Sequence, residues 1–208
     1  MSENFDEKAK TWDNDPGKIQ RAQSVARSLL KAIPIKSSMT ALEYGCGTGL
    51  LSFELLPHLK HITLIDSSNG MIEVLKEKIL SRNISNMSPV KADLISMKNF
   101  NDQFDLIYTL MALHHISDTK TILKRFHSLL NENNYLVIID LDKEDGSFHK
   151  NGTDVHHGFD RIALKKILTD IGFHPIHDEI CFHMRKTING KEEIIFPIFL
   201  LACQKKII

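Results

Sequence analysis

Three glycines stand at alternate positions, Gly45, Gly47 and Gly49, between a short apolar run and an amphipathic pattern. The apolar run at residues 40–44 predicts a buried strand, and the pattern that begins at Leu50 predicts a helix. Glycine accepts the backbone angles of a tight turn and lets a ligand approach bare main chain, while the first turn of a helix offers unpaired N–H groups. A ligand site is therefore expected between this strand and this helix.

The spacing of the glycines separates the possible ligand classes. A dinucleotide-binding GxGxxG turn needs glycine or alanine at its sixth position, where this chain has Leu50. A phosphate-binding P-loop needs Gly-Lys-Ser/Thr, which is absent from this turn. A nicotinamide-dependent oxidoreductase is therefore a weak alternative.

The segment Glu-x-Gly-x-Gly-x-Gly resembles the first motif of the class I S-adenosylmethionine (SAM)-dependent methyltransferases. In that family the glycine loop passes under the amino-acid end of the cofactor. The resemblance implies that SAM is the cofactor and that its site includes Glu43, Tyr44, Gly45, Cys46, Gly47 and Gly49. A glycine-rich turn that binds nothing is the alternative.

Two further acidic residues close predicted strands. Asp66 ends the β-rich run at residues 61–66, about twenty residues beyond the glycines, where a carboxylate can accept hydrogen bonds from both ribose hydroxyls of a nucleoside. Ser67, which follows Asp66, is a candidate cofactor contact with it. The alternative is that Asp66 only caps the next helix. Asp93 closes a third strand predicted over residues 89–94, and the resemblance implies that Asp93 and the backbone of Leu94 contact adenine. Taken alone, Asp93 is equally an ordinary loop aspartate.

A fourth strand is predicted over residues 104–110, and the resemblance places the cofactor's sulfonium beside its end, near Thr109. The families that methylate DNA adenine carry Asn/Asp-Pro-Pro-Tyr/Phe there, and cytosine C5 enzymes carry Pro-Cys. This chain has Thr-Leu-Met-Ala. Methylation of DNA bases by those routes is therefore disfavoured.

Candidate catalytic residues follow the fourth and fifth strands. Histidine can act as a base near neutral pH, so His114 or His115 is a candidate to take a proton from an attacking hydroxyl or thiol. Neighbouring side chains rarely point the same way, so only one of the two is expected to face the site; packing in the core is the alternative. Asp140 ends a fifth strand predicted over residues 135–140, after a polar stop at residues 131–134, and lies where open α/β sheets bind ligands.

The connection at residues 143–158 is long and carries His149, His156 and His157. Long connections are often lids or binding loops. The three histidines lack regular ligand spacing and a cysteine or acidic partner at a set distance. They are expected to be pocket or surface residues, and no metal is expected.

The two ends of the chain complete the predicted architecture. Asp15-Pro16 predicts the start of an amphipathic helix, and Trp12 before it is a candidate lid residue. Residues 176–188 and 191–204, joined by Asn189-Gly190, predict an antiparallel hairpin. The expected fold is α/β: a three-layer, Rossmann-like methyltransferase domain over residues 1–208, with a helical cap (1–35) and a core (38–204) whose mostly parallel seven-stranded sheet ends in an antiparallel strand.

Composition limits the possible partners. The chain has 208 residues, with 26 lysines and arginines against 26 aspartates and glutamates. Since no block of like charge appears, neither nucleic acid nor a membrane surface is expected as a partner. The three widely separated cysteines and the absence of a signal peptide indicate a cytoplasmic protein.

The resemblance implies direct methyl transfer from SAM, and a small-molecule acceptor is the expected substrate. A non-enzymatic module that keeps the cofactor fold is the alternative from another class, because methyl transfer in this fold needs no covalent nucleophile. Turnover separates the two.

Overall fold

A seven-stranded sheet lies at the centre of the computed structural model, which describes residues 5–97, 99–149, 155–188 and 192–206. In chain order the strands are β1 (Thr40–Tyr44), β2 (His61–Asp66), β3 (Met87–Lys91), β4 (Phe104–Leu110), β5 (Leu130–Leu141), β6 (Phe173–Ile188) and β7 (Glu192–Lys205). Their order across the sheet is β3-β2-β1-β4-β5-β7-β6. The first five strands pair in parallel, whereas β7 pairs antiparallel with both β5 and β6.

Helices cover both faces of this sheet. They are α1 (Phe5–Lys8), α2 (Pro16–Ala32), α3 (Leu50–Leu55), α4 (Asn69–Ser81), α5 (Thr119–Leu129) and α6 (Arg161–Ile171), with 3₁₀ turns at Ala9–Asn14, Leu56–His58 and Leu113–His115. One apolar cluster joins the sheet to α2, α3 and α4 through Leu29, Leu51 and Leu75. A second cluster joins the opposite face to α5 and α6 through Phe126 and Leu164. The predicted three-layer α/β fold is confirmed.

Two predicted strand boundaries were wrong. β3 ends at Lys91, so Asp93 and Leu94 lie in the turn after it and not on the strand. β5 begins at Leu130, so the polar stop predicted at residues 131–134 lies within the strand. Asn133 adopts a φ of +61° there, which makes this stretch an irregular start to β5 and explains its turn-like composition.

Two helix boundaries also differ. The pattern that begins at Leu50 extends to Leu59 and predicts a helix over 50–59, but α3 ends at Leu55 and continues as a 3₁₀ turn, because Pro57 has no N–H to donate. The Phe159–Ile171 segment also predicts a helix from its apolar spacing, but α6 begins at Arg161, since the Asp160 carboxylate accepts the N–H groups of residues 162 and 163 at 3.0 Å each.

The ends of the chain follow the prediction more closely. α2 begins at Pro16, and the Asp15 side chain accepts the Gly17 N–H at 2.9 Å. The C-terminal hairpin is confirmed by the pairing of β6 with β7, although its predicted Asn189-Gly190 turn lies outside the described residues. Among the helices that the structure describes, none has both the length and the apolar character needed to cross a bilayer.

The strand order determines where a ligand can bind. β1 lies between β2 and β4, so the connections leaving β1 and β4 turn to opposite faces of the sheet. A crevice opens at such a reversal, outside the carboxyl ends of the strands. The glycine turn after β1 and the histidine pair after β4 both lie at this edge.

Candidate active site

The glycine turn connects β1 to α3 through left-handed backbone. The φ angles of Gly45, Gly47 and Gly49 are +68°, +53° and +80°. The backbone N–H groups of Gly45 and Cys46 both donate to the carbonyl of Ile65, at 2.8 and 3.1 Å, which ties the turn to the end of β2. These residues therefore form one ordered loop at the carboxyl edge of the sheet.

The surroundings of the three glycines differ. A Cβ on Gly45 would lie 2.3 Å from the Cβ of Ala112, so the glycine turn packs directly on the segment that follows β4. A Cβ on Gly49 would lie 2.8 Å from Leu75 Cδ1. A Cβ on Gly47, by contrast, would make only ordinary van der Waals contacts, with Met71 Sδ at 3.9 Å and Trp12 Nε1 at 4.0 Å, so no protein atom crowds this position.

Asp66 lies directly beside Gly47. Its Oδ2 accepts the Gly47 N–H at 2.7 Å, and its Oδ1 accepts the Ser68 N–H at 2.8 Å. Burial raises the pKa of this carboxyl, while the backbone hydrogen bonds oppose the rise. Since each carboxylate oxygen has two lone pairs, both oxygens keep capacity for a further donor. Ser67, between Asp66 and Ser68, is exposed at the same edge.

Glu43 lies beneath the loop and not on its surface. Its side chain is only 2% exposed, and its Oε2 accepts a hydrogen bond from the Ser52 hydroxyl of α3. The Ser52 Oγ lies 2.5 Å from the hydroxyl of Tyr108 on β4. Burial raises the pKa of Glu43 to about 8. This network supports the loop from the core, and a direct cofactor contact by Glu43 stays a prediction.

The remaining predicted cofactor residues differ in accessibility. The Tyr44 ring packs at 5.3 Å against Phe126 of α5, and the residue is 7% exposed. Cys46 is 6% exposed, and burial raises the pKa of its thiol well above the usual value. Thr109 is fully buried, and its Oγ1 has no hydrogen-bond partner among the described residues.

The predicted adenine contacts lie farther along the edge. Asp93 is exposed, and its Oδ1 accepts the N–H of Ile95 at 3.0 Å. Leu94 is fully buried. This is the local turn geometry of a loop aspartate, so the adenine role of Asp93 stays a prediction.

The post-β4 segment brings His114 and His115 together. Their ring centroids are 4.1 Å apart, so the two neighbouring side chains lie together and do not diverge as expected; which of them faces an acceptor stays a prediction. The reason is local: Met111 has a φ of +54°, and the 3₁₀ turn that follows replaces the alternation of a strand. Both rings therefore belong to one site.

Asp140 at the end of β5 holds the first of these histidines. The Nδ1 of His114 lies 2.5 Å from Oδ1 of Asp140, and the His114 N–H donates to Oδ2 at 3.2 Å. His114 is 1% exposed and Asp140 is fully buried. The His114 Nε2 is also buried and has no hydrogen-bond partner among the described residues. The carboxylate thus orients the ring with Nε2 available for a ligand.

His149 completes a cluster that the sequence did not indicate. Its ring centroid lies 5.1 Å from that of His114 and 5.3 Å from that of His115. Along the chain, the neighbours of His149 are His156 and His157. His156 instead lies with its Nε2 2.9 Å from the carbonyl of residue 116. Linear spacing could not reveal a cluster formed from two separate loops.

The N-terminal segment covers the glycine turn. Asp6 accepts hydrogen bonds from the Ser68 hydroxyl at 2.5 Å and the Gly70 N–H at 2.8 Å, which caps α4 from outside. Asp13 accepts from the Thr48 hydroxyl and from Lys78 Nζ, each at 2.5 Å. These contacts had no signal in the sequence.

Aromatic rings of the same segment face the site. The Nε1 of Trp12 would lie 4.0 Å from a Cβ on Gly47. The ring of Phe5 packs edge-on against His115 at 5.3 Å. Trp12 therefore lies next to the glycine turn, and its role as a lid residue stays a prediction.

Arg21, a partly buried cation on α2, adds to the electrostatics of this region. The Arg21 Nε is buried without a hydrogen-bond partner, and its Nη1 lies 3.8 Å from Met184 Sδ. Among the described residues no carboxylate forms an ion pair with it. Burial lowers the pKa of Arg21, and Asp15 and Asp140 partly offset that effect. An unpaired guanidinium near Asp140 is suited to an anionic ligand group.

The comparisons with known proteins agree with this geometry. Residues 18–178 match the family described as methyltransferase domain. The chain belongs to the class I SAM-dependent methyltransferases. The nicotinamide-dependent alternative thereby loses its support.

The matches to named relatives of this methyltransferase span only part of each relative's length. It is 36% identical over 123 residues to an uncharacterized methyltransferase of Schizosaccharomyces pombe, which covers 56% of this chain and 43% of the relative. It is 27% identical over 129 residues to the ubiquinone biosynthesis O-methyltransferase of Coxiella burnetii, covering 61% and 55%. The match thus spans about half the length of these curated relatives.

A solved structure shares the fold of this methyltransferase. The N-methyltransferase NodS from Bradyrhizobium japonicum, solved with S-adenosyl-L-homocysteine, aligns with a TM-score of 0.68 at 19% identity. The alignment covers 93% of this chain and 89% of that one. At this identity the likeness shows the fold alone.

Proposed function

We propose that this methyltransferase binds SAM over Gly47 and transfers its methyl group to a small-molecule acceptor. The observation that supports it best is that no protein atom crowds Gly47, since an added Cβ would lie 3.9 Å from Met71 Sδ and 4.0 Å from Trp12 Nε1, both ordinary contact distances. A glycine that no protein atom crowds fits a loop that leaves room for a ligand. The spare acceptor capacity of Asp66 beside it fits a ribose.

The residues that would hold SAM are those of the turn at 45–49, Asp66 and Ser67, with Asp93 and Leu94 farther along the edge. When bound, SAM supplies a methyl group made electrophilic by positive sulfur. The chain has to align the acceptor with that methyl group and keep water out, and no residue needs to form a covalent bond. Positioning of this kind supplies roughly 7 to 11 kcal/mol at best.

The burial of the histidine site supports a small acceptor. His114 is 1% exposed and Phe148 beside it is 8% exposed, so a folded macromolecule cannot reach the Nε2 of His114 without rearrangement. Arg21 adds a charge preference: an unpaired, partly buried guanidinium favours an acceptor that carries a carboxylate or phosphate. The acceptor is therefore a small molecule with a nucleophilic atom and an acidic group.

Isothermal titration calorimetry of the purified chain with SAM, S-adenosylhomocysteine and NADH tests the cofactor. We expect micromolar binding of the first two and no heat with NADH. Binding of NADH, or binding of neither methyl-cycle ligand, would overturn the cofactor assignment.

An acceptor screen then tests turnover. Radiolabelled methyl release from SAM is measured against small hydroxyl, thiol and amine compounds, with acid-bearing and neutral members in matched pairs. Transfer to acid-bearing members over their neutral partners is the expected result. Tight SAM binding without transfer to any member would favour the non-enzymatic alternative.

The cellular setting is inferred from the cysteines. Cys46, Cys181 and Cys203 are all free thiols, which supports a reducing compartment, and we infer the cytoplasm. The equal numbers of positive and negative side chains, 26 each, support a small acceptor over a nucleic acid.

A further inference from the structure

We propose that His114, His115 and His149 bind a divalent transition metal ion, with Zn²⁺ as the fitting example, at the acceptor end of the site. One ring nitrogen from each histidine lies within 4.8 Å of the other two. Neutral imidazole is a ligand suited to Zn²⁺, Cu²⁺, Fe²⁺ and Ni²⁺. This assignment replaces the expectation from linear spacing that no metal binds.

The orientation of His114 is the strongest support. Its Nδ1 is 2.5 Å from the Asp140 carboxylate, and its Nε2 is buried with no hydrogen-bond partner among the described residues. A buried unpartnered nitrogen costs free energy unless a ligand compensates for it. Metal-binding histidines usually donate their second ring N–H to a carboxylate or carbonyl, which is the arrangement that Asp140 provides.

Hydrogen bonds and ring packing hold the loop that supplies His149 in place. Glu144 Oε2 accepts the N–H groups of Gly146 and Phe148, at 2.9 and 3.0 Å. The Phe148 ring packs at 5.1 Å against Phe196 of β7. His149 therefore follows a residue that is fixed on the sheet, which places its ring against the histidine pair.

The dimensions of the cluster fit a metal after a small contraction. Zn–N bonds of about 2.0–2.1 Å place tetrahedral ligand atoms about 3.4 Å apart. The widest separation in the cluster is at most 4.8 Å, so a shift of about an ångström, shared among three side chains, closes it. Three protein ligands leave the fourth position open, as in catalytic zinc sites.

An open coordination position would let the metal ion bind the acceptor, and this role rests on the proposed methyl transfer. A hydroxyl or thiol of the acceptor that coordinates the ion has its pKa lowered, so its proton leaves to solvent and the deprotonated atom becomes a better nucleophile. In this arrangement His114 is a metal ligand and not the general base. Asp140 is then a positioning residue that acts through His114.

Calorimetric titration of Zn²⁺ into the full, tag-free chain after chelator treatment tests the site without SAM or acceptor. We expect one ion per chain and at least a tenfold loss of affinity in His149→Ala and in His115→Ala. His58→Ala removes an exposed histidine outside the cluster and is the matched control. Equal affinity of wild type and His149→Ala, or an equal loss in His58→Ala, would overturn the proposal.

The Asp140→Asn variant provides a second test, with an expected result that a purely structural role of Asp140 would not produce. We expect a 10- to 100-fold loss of Zn²⁺ affinity in this variant, with the far-ultraviolet circular dichroism unchanged. Unchanged Zn²⁺ affinity in a folded Asp140→Asn variant would contradict the assignment. Because ion binding is measured without SAM, failure here leaves the SAM titration as a separate test of the proposed function.

Discussion

Asp140 Oδ1 lies 2.5 Å from His114 Nδ1 and 2.7 Å from the N–H of Leu141, so one buried carboxylate joins the end of β5 to the histidine turn. Asp140→Ala leaves these buried donors unpaired. We expect it to lower the free energy of unfolding by about 2–4 kcal/mol. Urea unfolding followed by circular dichroism measures the change. Asp170→Ala, which removes an exposed carboxylate on α6, is the control. A loss below about 1 kcal/mol in Asp140→Ala would contradict this account.

Asp66 carries the predicted ribose interaction. Asp66→Ala removes two charge-assisted acceptors and also the partner of the Gly47 N–H. We expect SAM affinity to fall by about 2–4 kcal/mol, measured by calorimetry. An unchanged dissociation constant would show that the carboxylate does not face the cofactor.

Gly45 and Gly47 should respond differently to the same substitution. Gly45→Ala drives a Cβ to within 2.3 Å of Ala112, so we expect it to abolish or severely weaken folding. Gly47→Ala has protein atoms no closer than 3.9 Å, so its cost is mainly the left-handed φ, about 1–2 kcal/mol. The added methyl fills the ligand space, and we expect at least a tenfold loss of SAM affinity in thermally stable protein. Normal SAM affinity in Gly47→Ala would contradict the proposal that SAM binds over Gly47.

Glu43 makes stability fall as pH rises. Its pKa is raised from 4.5 to about 8, so between these values the folded state holds a proton that the unfolded state has released. The stabilisation is complete below about pH 4.5 and is lost as the pH passes 8. From pH 5 to 7.5 we expect wild type to lose about 3 kcal/mol relative to Glu43→Gln. Unfolding curves of both proteins at several pH values measure the difference, and a constant difference would be the contrary result.

Trp12 is the only tryptophan of the chain, which gives a direct optical test. Its indole borders the space over Gly47, with Nε1 4.0 Å from an added Cβ. We expect its emission to change on titration with S-adenosylhomocysteine and to saturate at the calorimetric dissociation constant. Binding seen by calorimetry with no change in emission would place the cofactor away from Trp12.

The parts of the site that depend on regular structure were predictable from sequence. Parallel strands bring their carboxyl ends to one edge, so Gly47 and Asp66 had to be neighbours once both strands were recognised. His149 joined the histidine pair through an irregular loop that has no periodicity to read. The caps that Asp6 and Asp13 place on the cofactor edge are likewise tertiary contacts between distant segments, and local composition contains no signal for them.

The contact between Gly45 and Ala112 ties the two halves of the site together. Ala112 lies two residues before His114, so we expect a displacement of the glycine turn to move the histidine turn as well. Cofactor and acceptor affinities are then thermodynamically linked, and each ligand must alter the affinity for the other by the same factor. A substitution that enlarges position 112 would therefore change both dissociation constants, although it touches neither ligand.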